Sequence, residues 1–295
     1  MLLRDRLLLR TKEVVGDLVS ILTSDSMRLQ KRRVLSTYLR LTAMRYLWGR
    51  GERRSSVVGF SVSAFSPRTL HTLFTEIFVK AEYFFRTDNP RPLIIDCGSN
   101  IGMSILFFSA LYPDAEIIGF EPGEQAFRQL QNNIRANRLG EHVVVHNMAV
   151  GGADGPIEFY YDPDDPGSLL MSTVRQRMPK EARQVMCARL STVVDREVDF
   201  LKLDVEGAEN AVLNDLYETG KLALVKQMVI EYHHHINQDN DSLSRILRLL
   251  EEYQFGYQIR ADCEPTADRG VFQDIVLYAY RKGPAIAPAH LGAPP

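Results

Sequence analysis

The chain has 295 residues, 45% hydrophobic and 24% charged, which suits a globular protein with one large α/β domain and an appendage, or with two small domains. A net charge of −2 excludes a general attraction for nucleic acid, and no apolar run approaches the roughly 20 residues needed to span a membrane. The charge is uneven: residues 1–54 hold 13 Lys/Arg and 5 Asp/Glu, a net of +8, and the remainder a net of −10.

Residues 1–54 predict helices. Leu3, Leu7, Val14, Leu18 and Leu22 share one face at helical spacing, and Leu39, Met44 and Leu47 continue the habit. Amphipathic helices mostly bury their stripe, so these predict a cap on the core or on a partner subunit, a route to a homodimer. The basic faces leave a second reading, a surface for acidic lipid or a carrier protein. Leu2 to Leu9 is broken by Arg4, Asp5 and Arg6 and has no cleavage site, so no signal peptide is expected. Gly51 to Pro67 reads as a polar turn region, dividing an appendage, residues 1–54, from a main domain, residues 55–283. Thr69 to Phe85 predicts a helix with Phe74, Ile77, Phe78, Tyr83 and Phe84.

Leu93 to Asp96 is a short apolar run, too continuous for a half-wet strand, and predicts a parallel strand buried on both faces. A turn follows, Cys97-Gly98-Ser99-Asn100-Ile101-Gly102, and then an apolar helix, Met103 to Leu111. Gly98 and Gly102 are expected to leave room for a ligand against the backbone, next to unpaired N–H groups at the helix start. Asp96 ends the strand at its carboxyl edge, where open α/β sheets bind ligands. Ala115 to Phe120 predicts a second buried strand, ending in Glu121-Pro122. An acid about 20 residues after a glycine turn is where a ribose is held by its hydroxyls. Pro122 stops the strand and leaves Glu121 at the edge. The glycine spacing is D-x-G-x-x-x-G, with Asn100 where a dinucleotide fold wants glycine near pyrophosphate. Acids at strand ends repel phosphate but hold a sulfonium or ammonium, which favours S-adenosylmethionine over NAD and makes an NAD-linked oxidoreductase a poor rival.

Gln125 to Asn137 predicts a helix with Phe127, Leu130 and Ile134 inward, His142 to Val150 a third strand, and Ile157 to Tyr161 a short strand. Asp162 to Ser168 reads as a loop, and the stretch from there to Met186 lacks periodicity and predicts a mobile flap over the substrate. Val198 to Leu203 predicts a fourth buried strand delivering Asp204 and Glu206 to the sheet edge, followed by a helix, Ala208 to Leu216. Met228 to Tyr232 predicts a fifth strand, with His233-His234-His235 just beyond. Ser242 to Tyr253 predicts an amphipathic helix, and Tyr257 to Arg260 with Ile275 to Tyr280 a closing hairpin across the loop from Ala261 to Gly270. Pro284 to Pro295, rich in Pro and Ala, predicts a disordered tail. Cys97, Cys187 and Cys263 are few, odd in number and not in metal spacing, which points to a reducing compartment such as the cytoplasm.

Together, Asp96-x-Gly98-x-x-x-Gly102, Phe120-Glu121-Pro122 and Phe200-Leu-Lys202-Leu-Asp204-Val-Glu206-Gly207-Ala208-Glu209 resemble the FkbM-type S-adenosylmethionine-dependent methyltransferases, over roughly Phe74 to Lys282. The resemblance implies a Rossmann-like, doubly wound, mostly parallel seven-stranded sheet, the class I methyltransferase fold, here with an N-terminal helical appendage. It implies that the turn with Gly98, Ser99, Asn100 and Gly102 and the acids Asp96, Glu121 and Asp204 surround the cofactor. It also implies that Asn147, Met148 and Ala149 hold the adenine, Asn147 at its edge and Met148 on its face. Glu76 or Tyr83 would line the cofactor's amino-acid end. The implied reaction is methylation of a small-molecule hydroxyl on a sugar, polyketide or other natural-product intermediate.

Methyl transfer to a neutral alcohol needs a base during attack. The candidates are His233, Asp204, Glu206 and Glu231, at the ends of the fourth and fifth strands. His233 is favoured because an imidazole can be neutral near pH 7, and Glu231, two residues earlier on the same side, is expected to orient its ring. The family's Glu-x-His ending is matched by Glu231-Tyr232-His233. A divalent metal on Asp204 or the histidines is not favoured, because adjacent side chains on a strand point oppositely. The rival of another class is a binding module that keeps the pocket and works through its basic N-terminal helices.

Overall fold

The structure is a computed structural model and describes residues 3–24, 26–27, 30–47, 51–236, 242–261 and 272–283. Cys263, most of the loop expected from Ala261 to Gly270, and the tail expected from Pro284 lie outside the described residues. Two helices, α1 (Leu3–Thr23) and α2 (Lys31–Leu47), precede a hairpin of β1 (Arg53–Val57) and β2 (Phe60–Ala64). Helix α3 (Pro67–Phe74) follows, then β3 (Leu93–Cys97), α4 (Met103–Leu111), β4 (Glu116–Phe120), α5 (Glu124–Ala136) and β5 (Val143–His146). Three short strands come next, β6 (Ala149–Gly151), β7 (Gly155–Tyr161) and β8 (Glu181–Arg189). The chain closes with β9 (Val198–Leu203), α6 (Glu209–Glu218), β10 (Val225–His234), α7 (Leu243–Glu252), β11 (Phe255–Ala261) and β12 (Gln273–Arg281).

The seven-stranded sheet expected from the sequence is present, in the order β11-β12-β10-β9-β3-β4-β5. Only β12 runs against its neighbours; the pairs β10–β9, β9–β3, β3–β4 and β4–β5 are parallel. Every residue of β3 and β9 is buried beneath helices on both faces, the charged Asp96, Asp199 and Lys202 included. Ile94 joins one core, with Leu106 of α4 and Leu130 of α5. Ile95 and Cys97 join the other, with Val212 and Leu213 of α6 and Leu250 of α7. From β3 the chain winds outward through β4 to β5 and later returns to β9 on the opposite side. The carboxyl ends of β3 and β9 therefore form the switch point, where such sheets open a crevice.

Several local expectations are corrected. The stretch from Gly51 to Pro67 is not a turn region: Val57, Val62 and Ala64 of the hairpin are buried, and Asn133 of α5 and Asn137, which caps it, each accept a backbone N–H and donate to a backbone carbonyl of β2. Its alternation was short and its residues polar, so a strand buried on one side only was missed. The helix expected to Phe85 stops earlier; α3 passes into a single wide turn, Thr75–Val79, that re-aims Glu76. The third strand is split. β5 stays in the main sheet, whereas β6 joins β7 and β8 in a second, three-stranded sheet, and part of the expected flap is β8 itself. In the first helices Val14, Leu18 and Ile21 pack inward, but Leu22 and Leu39, expected on the same stripe, face solvent. Leu3, Leu7 and Leu47 have side chains outside the described set.

Gly98 and Gly102 have positive φ, +91 for each, and a Cβ on either would meet protein atoms. A Cβ on Gly98 would lie 1.9 Å from the carbonyl oxygen of Asp204, and one on Gly102 2.7 Å from Leu130. The close approach of β3 to β9 demands the first glycine and the packing of α5 the second. Gly98→Ala is expected to lose about 3 kcal/mol or more of stability, because backbone must move and the residue is strained. Gly140→Ala, at a site open to solvent, is expected to stay within about 0.5 kcal/mol. Urea unfolding midpoints of the two variants decide this; equal midpoints refute it.

Candidate active site

At the switch point a cavity opens, with about 970 Å³ of space, its open mouth included. Its floor is the turn after β3, with Gly98, Ser99 and Asn100. One wall is Phe120 at the end of β4 with Glu121 and Pro122 just after it, and Met148, Ala149 and Val150 beyond. Leu169, Met171 and Thr173 cover it from the segment between β7 and β8, and Glu76 and Tyr83 close the far side. Lys202, Asp204, Glu206 and Glu231 line the end formed by β9 and β10.

Of the residues expected here, Asp96, Gly102, Asn147 and His233 do not line the cavity. Asp96 is fully buried beneath the turn, where the Ser104 hydroxyl donates to its Oδ2 at 2.6 Å. Asn147 is exposed, and its amide donates to the carbonyl oxygens of Glu121 and Pro122, so it braces the strand end. His233 lies inside β10, 2% exposed, behind the lining. His234 also belongs to β10, so two of the three histidines are strand residues.

Lys202 was quoted in the sequence motif but given no role. It pairs with Asp96 across β9 and β3, and partners in register share a face. Its ammonium lies 3.3 Å from Asp96 Oδ1 and 3.1 Å from Asp204 Oδ2 and donates to the carbonyl of Gly98 at 2.7 Å. Burial opposes this charge, but Asp204 and Asp96 outweigh burial and hold the ammonium protonated far above its ordinary range.

Glu121 is fixed by two backbone donors: the Asn100 N–H meets Oε2 at 2.8 Å and the Gly123 N–H meets Oε1 at 2.7 Å. Burial nevertheless raises its pKa to about 7, against the pull of those hydrogen bonds. Glu76 also rises to about 7, through burial and then the nearby charge of Glu82. Glu231 is pushed well above the carboxylate range, first by burial and then by Asp204. The Tyr83 hydroxyl donates to its Oε2 at 3.2 Å. Five acidic side chains, Glu76, Glu121, Asp204, Glu206 and Glu231, thus face a space where Lys202 is the one cation among the described lining residues. Such a space suits a cation and repels phosphate.

His233 is oriented by Glu209, at 2.9 Å from Nδ1, and not by Glu231 as expected. Its Nε2 lies 3.3 Å from Glu206 Oε2, and Arg177 donates to that same oxygen at 2.9 Å. Arg177 comes from the segment expected to be a mobile flap, and the Ser172 hydroxyl of that segment donates to the Glu206 carbonyl. The cover is therefore tied to the turn after β9 at two points. Donor atoms of Asp204, Glu206 and His233, and of Glu231, His233 and Asp274, cluster within 4.8 Å, close enough to share a divalent ion. Arg177 already supplies positive charge there. Cys97, inside the turn, is a buried thiol that burial pushes far up, so it is inert.

The family model described as the Methyltransferase FkbM domain matches residues 96–258. Among curated relatives, Methyltransferase 1 of Beauveria bassiana is 30% identical over 195 residues, which cover 58% of this chain and 78% of the relative. The 31-O-demethyl-FK506 methyltransferase FkbM of Streptomyces tacrolimicus is 24% identical over 229 residues, 65% of this chain and 84% of the relative. Among solved structures, M. jannaschii TYW2 in complex with AdoMet is similar with a TM-score of 0.44 and 15% identity, covering 80% of this chain and 89% of that one.

Replacing Lys202 by Met is expected to cost about 3–5 kcal/mol, because the buried Asp96 is left without its countercharge. Adding Asp96→Asn is expected to recover part of that loss, since the two side chains are coupled. Urea titrations of the single and double variants test this, and strictly additive losses speak against it.

Proposed function

The chain belongs to the FkbM methyltransferase family, and from that premise we propose that it moves a methyl group from S-adenosylmethionine to a hydroxyl of a small molecule. The observation that carries this reading is Glu121, a carboxylate aimed into the cavity by two backbone N–H groups. Both of its oxygens keep a lone pair for a diol such as a ribose. The donor set fits the rest of the cofactor too. Met148, Ala149 and Val150 offer an apolar wall to an adenine, Met148 through a soft, adaptable thioether. Glu76 and Tyr83 suit the amino-acid end, and Asp204 and Glu231 suit a sulfonium. A hydroxyl acceptor is supported by the relative whose name places its methyl on an oxygen, and by the carboxylates available to take a proton.

The bound cofactor supplies a methyl already joined to its leaving group. What remains for the chain is alignment, exclusion of water and removal of one proton. Leu169 and Met171 present apolar side chains over the cavity. Asp204 and Glu231 face the acceptor end, and burial raises the pKa of Glu231 toward the operating pH, which suits a general base. A positive charge held beside Glu231 would favour its ionised form, the form that accepts a proton. Alignment can supply about 7–11 kcal/mol and proton removal about 10²–10⁴-fold in rate.

Because the Glu121 pKa is raised to about 7, the carboxylate that accepts two hydroxyls is lost as the pH falls through that value. S-adenosylhomocysteine is therefore expected to bind about tenfold more weakly at pH 6 than at pH 8. Glu121→Gln is expected to weaken binding at pH 8 and remove most of that dependence. Calorimetry at both pH values tests this, and absence of binding ends the reading. Mass spectrometry for a gain of one methyl group over a panel of hydroxylated metabolites then identifies the acceptor class.

A further inference from the structure

Resting on the methyl-transfer reading only for what the cavity holds, we propose that Glu209 is a positioning residue that locks the His233 ring and the 204–207 turn together, so that Glu206 is aimed at the acceptor end. Glu209 stands in the first turn of α6 and is 1% exposed. One of its oxygens, Oε1, meets three groups from two separate segments. These are the Gly207 N–H at 3.0 Å, the Val205 N–H at 3.3 Å and the His233 ring Nδ1 at 2.9 Å.

The turn needs such an anchor. Glu206 has φ +53, a left-handed conformation costly for a residue with a side chain, and Gly207 has φ +108. Strain of this kind persists only where the surroundings over-determine it. The two amides on Glu209, with the Ser172 hydroxyl on the Glu206 carbonyl, provide that determination.

The ring needs the anchor as well. A cation at a helix N-terminus is disfavoured by the helix dipole, and His233 stands beside the start of α6. The groups facing it are Glu209 of α6, Asp204 and Glu206 of the turn, Glu231 of its own strand, Asp274 of β12 and Arg177 of the covering segment. Burial opposes its charge, but Glu209 and Glu206 outweigh burial, and the ring stays protonated well above its ordinary value. With Nδ1 on Glu209, the other N–H points at Glu206, 3.3 Å away. His233 is then a fixed cation between two carboxylates. Glu206, which lines the cavity, is held by that cation and by Arg177.

The test uses the full chain with ¹⁵N-labelled histidine. In the wild type, His233 is expected to keep both ring protons throughout the neutral range. In Glu209→Gln it is expected to titrate between about pH 5 and 8, as an ordinary histidine does. The Val205 and Gly207 amides are expected to exchange faster by about tenfold. Affinity for S-adenosylhomocysteine should stay within about twofold, because Glu209 touches no part of the cavity, while methyl transfer loses about 10²-fold in kcat at unchanged KM for the cofactor. If Glu209→Gln does not fold, Glu209→Asp keeps the charge but withdraws it by one methylene; its His233 is then expected to titrate below the wild-type ring. The proposal is overturned if wild-type His233 is neutral at pH 7, if the variants titrate as the wild type does, or if added Mn²⁺ displaces the Nε2 proton. A wild type that holds the His233 protons but binds no S-adenosylhomocysteine supports the lock and sinks the methyl-transfer reading instead.

Discussion

A single buried ammonium joins the two halves of the sheet. Lys202 sits where β3 and β9 end, between Asp96 and Asp204 and against the Gly98 carbonyl. Strand pairing alone would bring two carboxylates together in a dry place, at a cost of several kcal/mol without a partner. With the cation present, the carboxylates bind β9 to the turn after β3. The crossing is tight enough that only glycine fits at position 98. The turn, the cavity floor and the aim of Asp204 all follow from that contact.

The cavity is therefore less acidic than its sequence suggests, and its acids divide by depth. Asp96 is spent on structure. Asp204 divides its oxygens, with Oδ2 on Lys202 and Oδ1 toward His233. Glu121 faces inward but is shaped by backbone donors. Glu76 and Glu231 keep their charge poorly because burial raises their pKa values. Acids held partly protonated lower the repulsion inside the empty site and can ionise when a cation arrives. The arrangement suits a positively charged ligand, such as the sulfonium of the proposed cofactor, by charge.

The segment from residue 204 to 209 does several jobs within six residues. Asp204 meets the cation, Glu206 meets the covering segment through Arg177, and Glu209 meets His233. The cover between β7 and β8 and the strand β10 are thereby both fastened to one turn. That turn is strained, which is a common state of backbone at working sites.

Much of the plan was legible in the sequence. Short clusters of apolar residues marked β3, β4 and β9, and β3 and β9 are buried along their whole length. The glycine turn and Glu121 could be placed because local spacing fixes where a strand end delivers its next residues. The hairpin of β1 and β2 and the split of the third strand were not legible, since each depends on what packs against it. The roles of Lys202, Glu209 and His233 were also hidden. All three were visible as residues, but whether a lysine faces solvent or two aspartates is set by its partner across the sheet. Likewise, a histidine is a base or a fixed cation according to which carboxylates a distant helix brings to it. Sequence fixes which groups exist and how near they are along the chain; only the tertiary structure decides which charges are buried together, and burial is what sets their protonation.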